Sequence, residues 1–158
     1  MSKEIERKFL VDNFKWLTKK SNEIFIRQGY LTGSITPTIR VRTVGINGFL
    51  TIKGKVSGIT RDEFEYEIPF NDAEFILNNF CGSSIIEKFR SEITFNNFLW
   101  QVDRFIGLNE GLIVAEIELL NEEQTFDIPS WITKEVTDDQ RYYNSNLVKN
   151  PFSKWNYK

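Results

Sequence analysis

The 158-residue sequence contains no histidine. That one absence removes histidine general bases, Ser-His-Asp triads, Cys-His dyads and most zinc sites. A single cysteine, Cys81, rules out an internal disulfide and suits a reducing cytoplasm. Its expected role is structural, at a helix end. The N-terminus lacks an apolar leader-type run, and no stretch approaches the length of a membrane span. Neither charge sign is in excess. Twenty basic and 22 acidic residues leave a net charge of −2, which argues against a general binder of nucleic acid or acidic membranes. An enzyme built from this chain works with carboxylates, Lys, Arg, Tyr and an oxygen-liganded metal. The length predicts one domain, and 14 Phe supply material for a real core.

What is present is a recurring alternation. The first stretch, Glu4-Ile5-Glu6-Arg7-Lys8-Phe9-Leu10-Val11, places Glu4, Glu6 and Lys8 on one face of a strand and Ile5, Arg7 and Phe9 on the other. Two carboxylates at i and i+2 repel each other, and a bound hard cation relieves that repulsion. Taken alone, the same pattern also fits a solvated edge strand.

Later segments repeat it. Residues 13–20 read as a short helix or turn, with Phe14 and Leu17 on one side. Residues 23–31 read as a strand, followed by a loop at Gly33-Ser34 and Pro37. Ile39–Val44 pairs Arg40 with Arg42 on one face. Ile46-Asn47-Gly48 is expected to turn the chain back into a strand that aligns Thr51, Lys53 and Lys55. Arg61, Glu63, Glu65 and Glu67 share a face opposite Phe64, Tyr66 and Ile68. Asn71 is the expected N-cap of a helix over about 72–80, with Phe75, Ile76 and Phe80 packing. Lys88, Arg90 and Glu92 align, then Gln101 with Asp103 beyond an Asn96-Asn97 turn. Glu116 and Glu118 mirror the first strand. The segment at about 132–148 is predicted to be mostly helical, offering Tyr142, Tyr143, Leu147 and Val148 for packing. Phe152, Trp155 and Tyr157 are available to dock the tail.

About eight strands with mostly short turns predict an antiparallel sheet that curls and closes, in an α+β chain with helices outside it. The charged face then either meets solvent or lines a lumen. In a lumen the charges need partners or a ligand. Lys8, Arg40, Arg42, Lys53, Lys88 and Arg90 form one group. Glu4, Glu6, Asp103, Glu116 and Glu118 form the other. A polyphosphate with divalent metal ions satisfies both.

Glu-Ile-Glu-Arg-Lys-Phe-Leu-Val at 4–11 also resembles the E-x-E-x-K signature of the CYTH proteins, the triphosphate tunnel metalloenzymes. The resemblance continues through Arg27-Gln28-Gly29-Tyr30-Leu31, Arg40-x-Arg42, Lys53, Arg61-x-Glu63-x-Glu65, Lys88-x-Arg90, Asp103, Glu116-x-Glu118 and the Glu135–Tyr142 segment. The last of these is similar to the C-terminal segment of the short bacterial members. The resemblance implies a single domain over 1–158, a closed eight-stranded antiparallel tunnel with a charged lumen. It implies triphosphate binding by Lys8, Arg40, Arg42, Lys53, Lys88 and Arg90. It assigns one or two Mg²⁺ or Mn²⁺ ions to Glu4, Glu6, Asp103, Glu116 and Glu118. Glu4, Glu6, Lys8 and Lys88 would be the catalytic groups, with Lys88 or Lys8 assisting the leaving phosphate. Glu63 and Glu65 would lie in the tunnel, near a metal or orienting the cations. Arg27 and Arg61 stand open between tunnel and surface. Arg141 and Tyr142 either close one tunnel end or simply pack.

The expected activity is hydrolysis of inorganic tripolyphosphate to pyrophosphate and phosphate. Adenylate cyclase or thiamine triphosphatase activity is the alternative, and a non-catalytic polyphosphate- or nucleotide-binding module is the reading from another class. Family resemblance also implies a possible homodimer.

Overall fold

The computed structural model describes residues 2–12, 15–17, 22–32 and 37–155. Its strands are β1 (Ser2–Val11), β2 (Ile24–Tyr30), β3 (Thr38–Val44), β4 (Asn47–Lys53), β5 (Thr60–Ile68), β6 (Ile85–Phe95), β7 (Phe98–Phe105), β8 (Ile113–Glu118) and β9 (Ile132–Glu135). Helix α1 (Phe70–Phe80) separates β5 from β6, and the one-turn helix α2 (Asn144–Leu147) lies near the C-terminus. The sheet order is β5-β4-β3-β2-β6-β7-β8-β1, and β1 pairs with β5 to close an eight-stranded antiparallel barrel. Strand β9 adds to the far end of β1. No helix among the described residues is long and apolar enough to cross a membrane.

Short connections set the registers. Gly45-Ile46 forms the β3–β4 turn, with Gly45 at φ +57°, and Val44 pairs directly with Asn47. The expected turn at Ile46–Gly48 is thus displaced: Asn47 and Gly48 belong to β4. Gly48 is needed there for packing, because a Cβ would stand 2.8 Å from the Cβ of Ala73 on α1. Asn96 and Asn97 do form the β6–β7 turn, both with positive φ, as a two-residue hairpin of this hand requires.

The apolar core lies outside the barrel wall. Ile5, Phe9, Trp100, Val102, Ala115 and Ile117 point outward, and Trp16, Leu119 and Trp131 cover them. The rings of Phe9 and Trp131 each lie 5.5 Å from that of Trp100. On another side Ala73, Leu77 and Cys81 pack on Val41. The third cluster sits at one barrel end. Ile86, Phe105 and Val114, on the lumen-facing parity of their strands, meet Val136, Tyr142 and Leu147 of the C-terminal segment.

Three local expectations are corrected. Helix α1 starts at Phe70 with Pro69, not Asn71, at its N-cap, and the Pro69 carbonyl accepts from the N–H groups of Asp72 and Ala73. Proline cannot donate to the strand ladder, so it ends β5 and opens the helix at once. Phe75 and Phe80 are exposed and meet each other edge to face at 5.8 Å instead of packing inward. The region 132–148 is a strand, a 3₁₀ turn at Gln140–Tyr142 and one α-helical turn, because it follows the barrel end instead of a helical period. Phe152 and Trp155 do pack against the barrel-end cluster. Phe14, the Gly33-Ser34 loop and Tyr157 lie outside the described residues.

Candidate active site

With apolar side chains turned outward, strand parity turns the charges inward. They line a cavity of about 760 Å³. Its wall carries Lys8, Arg40, Arg42, Lys53, Arg61, Lys88 and Arg90 as cations, and Glu4, Glu6, Glu63, Glu65, Glu116 and Glu118 as anions. Register brings partners together. Glu4 faces Arg61 across β1–β5, Lys8 faces Glu116 across β1–β8, and Lys53 faces Glu63 across β4–β5.

These side chains form connected ion pairs. Lys53 Nζ reaches Glu4 at 2.7 Å and Glu63 at 3.1 Å, while Arg61 holds the other oxygen of Glu4 at 2.5 Å. Lys8 Nζ lies 2.8 Å from Glu116 and 3.6 Å from Glu6. Arg90 bridges Asp103 at 2.6 Å and Glu116 at 2.9 Å, and Lys88 Nζ lies 2.5 Å from Asp103. Glu65 accepts from Arg42, Arg40 and the Thr51 hydroxyl at 3.1, 3.3 and 2.7 Å.

Protonation follows from burial and these neighbours. Burial alone would raise Glu4, but Lys53 and Arg61 hold it at about 2. Burial and the charge of Glu116 push Glu6 up to about 7. Burial pulls Lys88 down to about 8, with Asp103 opposing and Arg90 adding to the fall. Lys8, buried but flanked by Glu116 and Glu6, is raised above the ordinary lysine range. Burial and nearby Arg40 lower Lys53.

Two observations point to a ligand. The Nε–H groups of Arg40 and Arg42 are buried and have no partner among the described residues. Glu6 pairs in register with Glu118 across β1–β8 and feels the charge of Glu116 next to it, so acidic side chains gather on one stretch of wall where a cation is favoured. Among the described residues no three acidic side chains converge into a ready metal cage. A magnesium-type ion needs only one or two carboxylates when substrate phosphate and water complete its shell, so this all-oxygen donor set fits one.

Most expected residues meet in the cavity, and three do not. Asp103 is fully buried behind the wall, with both oxygens engaged by Lys88 and Arg90. Arg27 lies on the outer face, paired with Glu74 of α1 at 3.2 Å and Glu87 at 3.5 Å. Gly29, on the same face, admits no side chain against Cys81. Arg141 pairs with Asp139 and lies over the Tyr142 and Trp155 rings at the surface. Tyr30, Thr51, Thr137 and Tyr143 hold parts of this site that the sequence reading did not assign. Parity could have found Tyr30 and Thr51, whereas nothing local marks Thr137 or Tyr143.

Comparison with known proteins gives a consistent pattern. The CYTH domain model matches residues 2–147. A protein of Acetivibrio thermocellus named inorganic triphosphatase is 49% identical over 154 residues, covering 96% of this chain and 97% of that one. Another inorganic triphosphatase, from Nitrosomonas europaea, is 35% identical over 151 residues, covering 92% and 96%. The crystal structure of the inorganic triphosphatase NE1496 superposes with a TM-score of 0.66 at 32% identity, covering 94% of this chain and 95% of that one.

Proposed function

Since the chain belongs to the CYTH domain family, we propose that it hydrolyses inorganic tripolyphosphate to pyrophosphate and phosphate with one or two bound Mg²⁺ or Mn²⁺ ions. The observation that carries this reading is the cavity wall, which sets a cationic side, Arg40, Arg42, Lys53, Lys8, Lys88 and Arg90, beside carboxylates. The names of the two inorganic triphosphatases support the substrate.

Arg40, Arg42 and Lys53 clamp phosphate oxygens from β3 and β4, and Lys8, Lys88 and Arg90 do so from β1 and β6. Glu6, Glu116 and Glu118, with Glu4 beside them on β1, would hold the divalent ion through carboxylate oxygens, while Lys53 and Arg61 hold Glu4 ionised. When bound, the ion neutralises phosphate charge and lowers the pKa of a water. Asp103 acts behind the wall, fixing Lys88 and Arg90. Of the two lysines expected to assist the leaving phosphate, burial lowers Lys88 to about 8, which favours it over Lys8, held charged by Glu116 and Glu6. Glu63 and Glu65 orient Lys53, Arg40 and Arg42.

A second reading draws on the exposed apolar rim of the cavity at Val56, Leu99 and Leu120. This rim offers a surface to the organic group of ATP or thiamine triphosphate. The test offers tripolyphosphate, ATP and thiamine triphosphate separately, with Mg²⁺ or Mn²⁺, and resolves products by chromatography. Phosphate and pyrophosphate from tripolyphosphate, with little product from ATP, is the expected result. Cyclic AMP and pyrophosphate from ATP would replace hydrolysis with cyclisation.

A further inference from the structure

Strand β1 has a gap in its pairing where it carries the site. One edge runs along β8 from Glu6 to Leu10. The other edge pairs with β5 over Ser2–Ile5 and with β9 over Phe9–Val11; among the described residues no strand pairs with the residues between, where the Glu6 N–H donates to the Ile59 carbonyl at 3.4 Å. A backbone N–H left unpaired in a buried gap is costly. At Lys8 a side chain satisfies it: the Lys8 N–H donates to Thr137 Oγ1 at 3.0 Å. On the same edge the Lys8 carbonyl accepts from the Val136 N–H at 2.8 Å. The Thr137 hydroxyl is oriented in turn by Glu135 at 2.7 Å, and Glu135 is held by both Nε and Nη2 of Arg7.

The circuit closes through a ring. Tyr143 Oη donates to the Thr137 carbonyl at 3.3 Å, and the Tyr143 ring centre lies 6.0 Å from Lys8 Nζ. Thr137 thus meets the Lys8 backbone directly and steadies the Tyr143 ring, which stands 6.0 Å from the ammonium as a second neighbour after Glu116 at 2.8 Å.

We infer that Thr137 is a positioning residue: it fills the ladder gap of β1, and with Tyr143 it fixes the Lys8 ammonium for phosphate binding. This rests on the triphosphatase reading above. On this assignment activity depends on the Thr137 hydroxyl through Lys8, the residue whose N–H donates to it.

The test is a double-mutant cycle of Thr137→Val with Lys8→Met, read as kcat and KM for tripolyphosphate with saturating Mn²⁺ or Mg²⁺. Loss of one hydrogen bond predicts about a tenfold fall in kcat/KM for Thr137→Val in the native background, with Thr137→Ser restoring activity to within about twofold. In the Lys8→Met background Thr137→Val changes kcat/KM by less than about twofold, since the group it positions is gone. Amide exchange at Lys8 is faster in Thr137→Val and native-like in Thr137→Ser. If Thr137→Val does not fold, Tyr143→Leu takes its place in the cycle, with the same non-additivity expected. Equal losses in both backgrounds, or native activity of Thr137→Val, would overturn this assignment alone. A native protein that turns over no tripolyphosphate would overturn the functional reading and this assignment with it.

Discussion

Glu6 and Asp103 show how far a side chain's neighbours decide its role. Glu6 is raised to about 7 by burial and by Glu116. A carboxylate raised in the fold contributes stability below its unfolded pKa, and that contribution is lost as pH rises towards the folded value. The metal-free protein therefore loses stability through this group between pH 4.5 and about 7. A divalent ion favours the ionised form and reverses that loss. Differential scanning should find a larger Mg²⁺- or Mn²⁺-induced rise in Tm at pH 8 than at pH 6, and Glu6→Gln should abolish the difference. Asp103 was expected to hold metal, since its parity with Gln101 places it inward. Depth is what the sequence could not convey: it sits behind Lys88 and Arg90 with no free oxygen. Asp103→Asn should thus lower kcat by about a hundredfold, as loss of an orienting group can, while leaving the divalent-ion Kd within about twofold. Glu116→Gln should weaken ion binding. Calorimetric titration of both variants separates the two roles.

At the scale of elements, the strands were legible because their alternation is nearly unbroken. Arg61-Asp62-Glu63-Phe64-Glu65-Tyr66-Glu67 states its own faces, and β5 follows it. Strand β2 was harder. Its one charge, Arg27, left tunnel and surface both open; it lies outside, while Gln28 and Tyr30 turn inward and bond to each other at 2.9 Å. The signal was Gly29, the small residue beside Arg27 that lets α1 approach. A Cβ there would lie 2.7 Å from both Cβ and Sγ of Cys81. Gly29→Ala should cost about 1–3 kcal/mol through overpacking, measured by urea unfolding. The C-terminal segment was illegible for a different reason. Thr137, Tyr142 and Leu147 take their places from the β1 gap and the barrel end, both assembled from residues distant in sequence. The expected helix is instead a cap, although the expected packing of Tyr142, Leu147 and Val148 at the barrel end is found.

For the whole molecule, stability and chemistry occupy opposite faces of one sheet. The outer face buries Trp100, Phe9 and Trp131, and the inner face spends its area on charge. Trp100→Ala should cost about 3–5 kcal/mol and lower Tm sharply. The measurement that bears most directly on this account is phosphate and pyrophosphate release from tripolyphosphate. It would be followed for the native protein before and after chelation, and again after Mg²⁺ or Mn²⁺ is restored. Equal amounts of the two products, loss of turnover with chelator and recovery with metal are expected. Undiminished turnover in chelator, or none with either metal, would contradict metal-dependent hydrolysis.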